Sequence, residues 1–260
     1  PSIGFSQAYP ILFMVDQPLG IYWGAETNGV YSSWEEANAS GIAGAAPGEI
    51  RYINHHIDLD DSGQPLEIQE INFDDYVKIG DPNPDFTYSI SNNFSYKNWD
   101  ANILFTGQKG GDLFWVDSWQ LSGLQKTTNI LSSSYANSWI APLYYENGNY
   151  IYDESIGNLN SVNHPGAMIE TGSRAISSDR NIFDGSFIRL KNINIGYNFD
   201  LKDGKNMRVY LAGQNLVVWT DYPGYDPEVR TYTKNPQKRG VDFGTYPGTR
   251  SLLLGLKFNY

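Results

Sequence analysis

The sequence predicts an all-β chain: the closing strands of a large antiparallel transmembrane β-barrel with long outer loops. Three observations predict it. Residues 86–97, "FTYSISNNFSYK", alternate almost without error over twelve residues. Globular strands run about 5–6 residues, whereas a tilted membrane-spanning strand needs about 9–11. Connections between such stretches alternate between very short and very long. Aromatic side chains gather at the short-turn ends of the stretches.

The first strand places Phe86, Tyr88, Ile90, Phe94 and Tyr96 on one face, interrupted only by Asn92; the other face is wholly polar. Successive side chains of a strand point to opposite sides, so one face meets an apolar medium and the other does not. A tight turn at Lys97-Asn98 starts the second strand, 99–106. There Trp99, Ala101, Ile103 and Phe105 alternate against Asp100, Asn102 and Thr106, with Leu104 as the exception. In the third strand, 187–199, Ile193, Ile195, Tyr197 and Phe199 continue the pattern. The turn at 200–206 carries Asp203-Gly204, a strong turn dipeptide. The fourth strand, 207–218, runs through Met207, Val209 and Leu211. Parity breaks near Phe187–Leu190 and again near Gly213, which predicts a β-bulge or a strand end there. The fifth strand, 249–260, carries Leu252, Leu254, Leu256, Phe258 and Tyr260 on one face. Residues 1–85 read as the end of a preceding strand plus loop, with one short helix at "SSWEEANASG", where Ser33 caps and Glu36 stands three residues on.

Loops at about 107–186 and 219–248 are too long for a compact soluble domain. Short turns on one side and long loops on the other are the construction of outer-membrane barrels, short periplasmic and long extracellular. With 97–98 in the periplasm, the last strand runs inward, and Tyr96, Trp99, Tyr197, Phe199, Phe258 and Tyr260 form one interfacial girdle. Five strands leave open edges in lipid, which is not viable, so the chain is expected to be a C-terminal portion of something larger, or to close with another chain. No signal peptide opens the sequence and no apolar run is long enough for a membrane helix.

Composition narrows the function. The formal net charge is -11 with a pI near 4.6, which disfavours nucleic acid as a partner. Cysteine is absent. There is no G-x-S-x-G and no usable Ser/His/Asp spacing, so no enzyme is expected.

The blocks "VKIGDPNPDFTYSISNNFSYKNWDANILFTGQKGGDLF", "SDRNIFDGSFIRLKNINIGYNF", "RVYLAGQNLVVWTDYPGYDPEV" and "GTYPGTRSLLLGLKFNY" resemble, in order and spacing, the C-terminal region of SusC/RagA-type TonB-linked outer-membrane transporters. The resemblance covers roughly residues 17–260. It implies a plugged barrel of the 22-stranded class. It also implies import of bulky nutrients, oligosaccharides first and peptides second, driven through TonB beneath a SusD-like surface lipoprotein. By the same resemblance the five strands are the last of the barrel, and the terminal aromatics Phe258 and Tyr260 are the signal read by the outer-membrane assembly machinery. The rival reading is a soluble all-β carbohydrate-binding module. That reading accounts for alternation and surface aromatics, but not for twelve-residue strands or one-sided loop lengths.

Two sets of site candidates stand out. In "HHIDLDDSG", Asp58, Asp60, Ser62 and Gly63 fall at positions 1, 3, 5 and 6 of a calcium-loop pattern, with Asn72 or Asp75 a candidate to complete a structural Ca²⁺ or Mg²⁺ site. Position 12 is Gln69, which is wrong for a bidentate ligand. The same residues also suit a plain solvated acidic loop. Neighbouring His55 and His56, and the lone His164, read as surface histidines. In the long loop, Trp115, Trp119, Trp139 and Tyr144 are candidate ligand or lid contacts; the competing reading is that they pack the loop itself. "GYDPEV" and "GTYPGTR" read as loop scaffolding.

Overall fold

A computed structural model describes residues 10–119, 121, 129–139, 143–153, 177–229 and 235–259. Tyr260 and His164 lie outside them. Its dominant element is a five-stranded antiparallel meander: β1 (Pro84–Tyr96), β2 (Trp99–Gly110), β3 (Phe187–Asp200), β4 (Asn206–Thr220) and β5 (Ser251–Asn259), each paired with its neighbours in sequence. The expected strands all form. β2 runs four residues further than its alternation implied, through Gly107–Gly110. That stretch lacks an apolar signature but is paired on one side by Pro84–Tyr88 and on the other by Phe187 and Ile188.

Register sorts the two faces. One face carries five aligned rungs. Tyr96, Trp99, Tyr197, Val209 and Leu256 make the first, and Phe94, Ala101, Ile195, Leu211 and Leu254 the second. Asn92, Ile103, Ile193, Gly213 and Leu252 make the third; Ile90, Phe105, Leu190 and Val217 the fourth; Tyr88, Gly107, Ile188 and Trp219 the fifth. This face is apolar throughout except for Asn92, and its large side chains are exposed or half-buried, Leu254 at 74% and Phe94 at 59%. Tyr88 to Tyr96 spans nine residues, the length of a tilted membrane-spanning strand, which needs about 9–11. Aromatics bound the face at both ends. Trp99, Tyr197 and Phe199 stack edge to face, with centroids 4.9 and 4.7 Å apart, at the short-turn end. Phe86, Tyr88 and Trp219 stand at the other. Among the described residues no helix is long and apolar enough to cross a membrane.

The parity break is a bulge. Register shifts between Leu190 and Asn192, opposite the step from Val217 to Gln214, where Asn215 takes a left-handed φ of 52°. Without it, a slip of one residue would turn Ile193, Ile195 and Tyr197 to the polar side.

The opposite face is polar and networked. Asp100, Gly196, Tyr210 and Gly255 share a rung. Arg208 reaches from β4 across β3 to Asp100 on β2 with a two-pronged contact, Nε to Oδ1 at 3.0 Å and Nη2 to Oδ2 at 2.5 Å, and also donates to Asn194 at 2.9 Å. Asn198 donates to the same carboxylate at 3.0 Å. The guanidinium passes directly over Gly196, where a β-carbon would collide with it. A fork of this kind matches a carboxylate in geometry as well as charge. Leu253, opposite Ala212 on this face, has no partner that explains it.

Over the long-loop end sits a packed cap of short strands. Ile11–Leu12, Ile21–Gly24 and Val77–Gly80 form one sheet. Leu113–Trp115 lies between Ile182–Phe183 and Val241–Asp242 in a second, and Thr27–Val30 pairs with Ile50–Tyr52. Buried Ile11, Tyr22, Phe114 and Val241 make one core cluster, so the cap draws on residues either side of position 85. The predicted helix forms as α1 (Trp34–Ala39), with Ser33 Oγ accepting from the Glu36 N–H at 3.2 Å. Its capping box is offset: Glu36 reaches back to the Ser32 N–H at 2.8 Å, one residue before the cap.

A buried clamp joins cap to sheet. Arg189 of β3, with a side chain 4% exposed, donates to Asp226 at 2.5 Å and lies 2.8 Å from Glu228. Asp226 also accepts the N–H groups of Glu228 (2.9 Å) and Gly248 (3.0 Å). Burial pushes the Asp226 carboxyl up, but the Gly248 and Glu228 N–H groups and the Arg189 guanidinium outweigh it and hold the group below the usual carboxylate range. Both scaffolding motifs, "GYDPEV" and "GTYPGTR", therefore meet at one carboxylate. Behind them Tyr222 donates to buried Asp242 at 2.6 Å.

Two outcomes follow. Gly196→Val displaces the Arg208 fork and lowers unfolding stability by about 1–3 kcal/mol, the usual range for steric disruption of a packed site. Urea titration of the refolded barrel measures it, and an unchanged midpoint would count against the fork. Asp226→Asn leaves buried Arg189 with Glu228 as its carboxylate partner, removes one charged hydrogen bond and costs about 2 kcal/mol of local stability. In the wild type, a depressed folded-state pKa makes this contribution complete above the unfolded aspartate value of about 4, and lost as pH falls through the folded value. Hydrogen exchange at Gly248, corrected for intrinsic rates, should therefore accelerate in acid for the wild type and already be fast at neutral pH in Asp226→Asn.

Candidate functional site

The acidic loop is built around carboxylates that accept backbone N–H groups. Asp60 accepts from the Ser62 hydroxyl (2.6 Å), the Ser62 N–H (2.8 Å) and the Gln64 N–H (2.9 Å). The Ser62 hydroxyl and the Gln64 N–H hold its carboxyl below the usual range. Asp75, fully buried, accepts the N–H groups of His55 and His56, both at 2.9 Å, and of Asn72 at 3.0 Å. Asp58 accepts from Glu70 and the Asn72 amide, each at 3.2 Å. Asp58, Asp60 and Asp75 thus serve as turn and cap acceptors, and Ser62 donates to Asp60. Among the described residues, no group of three or more His, Cys, Asp or Glu side chains converges as a metal shell. The acceptor-rich spacing that suits a cation suits an Asx turn equally. His55 and His56 are exposed, and His55 Nε2 lies 3.0 Å from Glu26.

The aromatic candidates separate into two groups. Trp115 is 6% exposed and packs edge to face against Phe183 and Tyr222, with centroids 5.8 and 6.2 Å away. Trp139 is 5% exposed and lies on Gly48, where a β-carbon would strike its ring. Both are cap-packing residues and offer no open contact face. Trp119 ends a helical turn, Val116–Trp119, and Tyr144 stands in the strand Leu143–Glu146; their side chains lie outside the described residues. Phe258 pairs with Met207 at the short-turn girdle and is 52% exposed. Tyr260 lies outside the described residues.

What the sequence did not single out is a cavity of about 260 Å³ where cap and polar face meet. Pro82, Pro84, Pro227, Leu113 and Val229 wall it, and Gln108, Glu228 and Arg239 supply its polarity. Gln108 is fixed by donating to Gly110 and Gly185 at 3.2 and 3.0 Å. Glu228 is tied to Lys191 at 3.4 Å as well as to Arg189. Arg239 is exposed and lines the cavity. Aromatic rings, the usual platform for a sugar face, are absent from its lining. The only sequence signal for it was proline spacing in "DPNP" and "YDPEV".

Comparison with known proteins places this geometry. No family model matches the chain. TonB-dependent receptor P3 of Formosa agariphila is 33% identical over 98% of the chain, and receptor P26 of the same organism 26% identical over 95%. TonB-dependent receptor SusC of Bacteroides thetaiotaomicron is 31% identical over 43%. The RagAB peptide importer in its closed-closed state shares the fold, with a TM-score of 0.66 at 17% identity over 99% of the chain and 24% of that structure's chain. The chain spans about a quarter of the length of its relatives P3 and P26 (24% and 23%). Its five-stranded sheet, apolar outside and polar inside, is a section of their barrel wall, and the chain belongs to the SusC/RagA family of TonB-dependent outer-membrane transporters.

Proposed function

We propose that this chain supplies barrel wall and outer loops to an active importer of bulky nutrients, working under a SusD-like lipoprotein lid with energy relayed by TonB. The observation that carries the reading is the sheet itself. One face is suited to lipid over a full membrane-spanning length, and the other holds a fixed polar network around Asp100 and Arg208. In this reading the short turns after β1 and β3 lie on the periplasmic side and the cap lies outside, which the lengths of the connections support. The polar face and the cavity beneath the cap then line the entry route. Of the two substrate classes, peptides suit that cavity better: prolines and aliphatic groups pack against side chains, and Arg239 can pair with a carboxylate. Chemistry on the substrate forms no part of the proposal; the relatives are named as receptors and transporters.

Two measurements check this. In the intact transporter on whole cells, Asp203→Cys should stay unlabelled by a membrane-impermeant maleimide until the outer membrane is permeabilised, while Tyr246→Cys, in the exposed cap, labels at once. The reverse pattern would overturn the orientation. Arg239→Ala should lower uptake of labelled acidic peptides several-fold and leave amidated peptides little changed. Oligosaccharide uptake that dominates in the wild type would refute the peptide assignment.

A further inference from the structure

The cavity where cap and polar face meet presents a definite pattern of donors and acceptors. Gln108 stands on the polar side of β2, in register with Thr87 and Phe187. Its amide nitrogen donates to two carbonyl oxygens, those of Gly110 and Gly185. An amide has two donors on nitrogen and only acceptor sites on oxygen, so two carbonyl neighbours fix which atom faces them. Oε1 is therefore the atom left for an occupant, and it can only accept. Arg239 supplies the opposite character. Its guanidinium makes no ion pair among the described residues. Its base is fixed: the Arg239 carbonyl accepts the hydroxyl of fully buried Tyr22 at 3.0 Å, and the next carbonyl, that of Gly240, accepts the Phe114 N–H at 3.0 Å. Gly240 has a left-handed φ of 72°, and a β-carbon there would strike the Tyr22 hydroxyl, so only glycine lets the loop lie this close to the core. The cation thus stands on the cap's core cluster.

Charge and size decide what fits. Arg189, Lys191 and Arg239 stand against Asp226 and Glu228, and both carboxylates are already engaged, Asp226 by Arg189 and Glu228 by Arg189 and Lys191. The cation left over is Arg239, so the site favours an anion although the chain as a whole carries a net charge of -11. An ammonium group, as at a peptide's N-terminus, meets only carboxylates that are taken. The volume, about 260 Å³, lies below the roughly 300–1,000 Å³ of pockets that enclose drug-sized molecules, so the cavity admits the end of a chain and not a length of it. Leu113, Val229 and the prolines leave an apolar wall for one side chain. The last residue of a peptide carries what this pattern asks for: an anion, an N–H donor and a side chain, all on one carbon. From this juxtaposition we infer that the cavity recognises a free peptide C-terminus. The α-carboxylate pairs with Arg239, the N–H of the last peptide bond donates to Gln108 Oε1, and the last side chain packs on Pro82, Leu113 and Val229. An aspartate or glutamate within a peptide brings an anion too, but its chain continues on both sides and exceeds the space. The assignment rests on the peptide reading proposed above, and adds which end enters and that Gln108 helps to choose it.

Calorimetric titration of the intact transporter tests it with alanyl-alanyl-leucine in several forms: free, N-acetylated, C-amidated, and N-methylated at the last peptide bond. Acetylation should leave affinity within about twofold, whereas amidation should lower it about tenfold or more, the loss expected for a hydrogen bond to a charged group. Methylation removes the N–H and should cost about fivefold. On Arg239→Ala the free and amidated forms should bind alike. On Gln108→Leu the methylated and unmethylated forms should bind alike, while the free acid keeps its advantage over the amide. Equal affinity of the free and amidated forms on the wild type, or an advantage of the free acid that survives Arg239→Ala, would overturn the C-terminal site. So would tighter binding of an amidated peptide with an internal glutamate than of the free tripeptide, which would give Arg239 to side-chain carboxylates. Arg239 is an exposed side chain, so its variant remains informative even if Gln108→Leu fails to assemble. Binding of none of the peptides would refute the peptide reading itself and this site with it, whereas binding indifferent to the C-terminus refutes the site alone.

Discussion

The structure depends on one constraint: a strand in hydrocarbon must have every backbone N–H and C=O paired, because no water is there to substitute. The meander meets it between β1 and β2, β2 and β3, β3 and β4, and β4 and β5. The outer edges of β1 and β5 must be met by the rest of the barrel. Once pairing is obligatory, register fixes which side chains face which medium, and the other features serve register. The bulge at Leu190–Asn192 returns Ile193 and Ile195 to the face of Ile188 and Leu190. The turn at Lys97, in the left-handed region at φ 53°, sets Tyr96 opposite Trp99 and so starts the first rung.

The strands could be read from sequence because a period of two is a local property, visible without knowing the partner strand. The bulge could be read for the same reason, as a break in that period. The end of β2 could not, since Gly107–Gly110 is held by its neighbours rather than by its own composition. The cap was the larger omission. Tyr22, Phe114 and Val241 are far apart in the chain, each in a segment that reads as loop, and only tertiary packing brings them together. Arg189 and Asp226 are separated by most of β3, all of β4 and a loop; each alone looks like an ordinary polar residue.

The acidic loop shows a different limit. Alternate carboxylates followed by glycine are a ligand pattern and also a turn pattern, because both uses need short oxygen acceptors held close to a bending backbone. Spacing alone does not separate them. In this loop Asp60 and Asp75 aim lone pairs at N–H groups of their own backbone. The tryptophans pose the same question with surface in place of lone pairs. Trp115 and Trp139 have aromatic area suited to a ligand, but it is already covered by Phe183, Tyr222 and Gly48.

Asn92 tests how strict the division of faces is. It is the one polar side chain on the five apolar rungs, and it stands on the third, midway between the two aromatic ends, where a bare amide is most costly. Its position limits that cost. β1 is an edge of this sheet, so Asn92 borders the seam where the barrel continues and where a cross-strand partner can reach its amide. The four other residues of its rung, Ile103, Ile193, Gly213 and Leu252, lie away from that seam and carry no polar side chain. A polar residue at mid-depth thus stands on β1, one of the two edge strands that have a neighbour still to come.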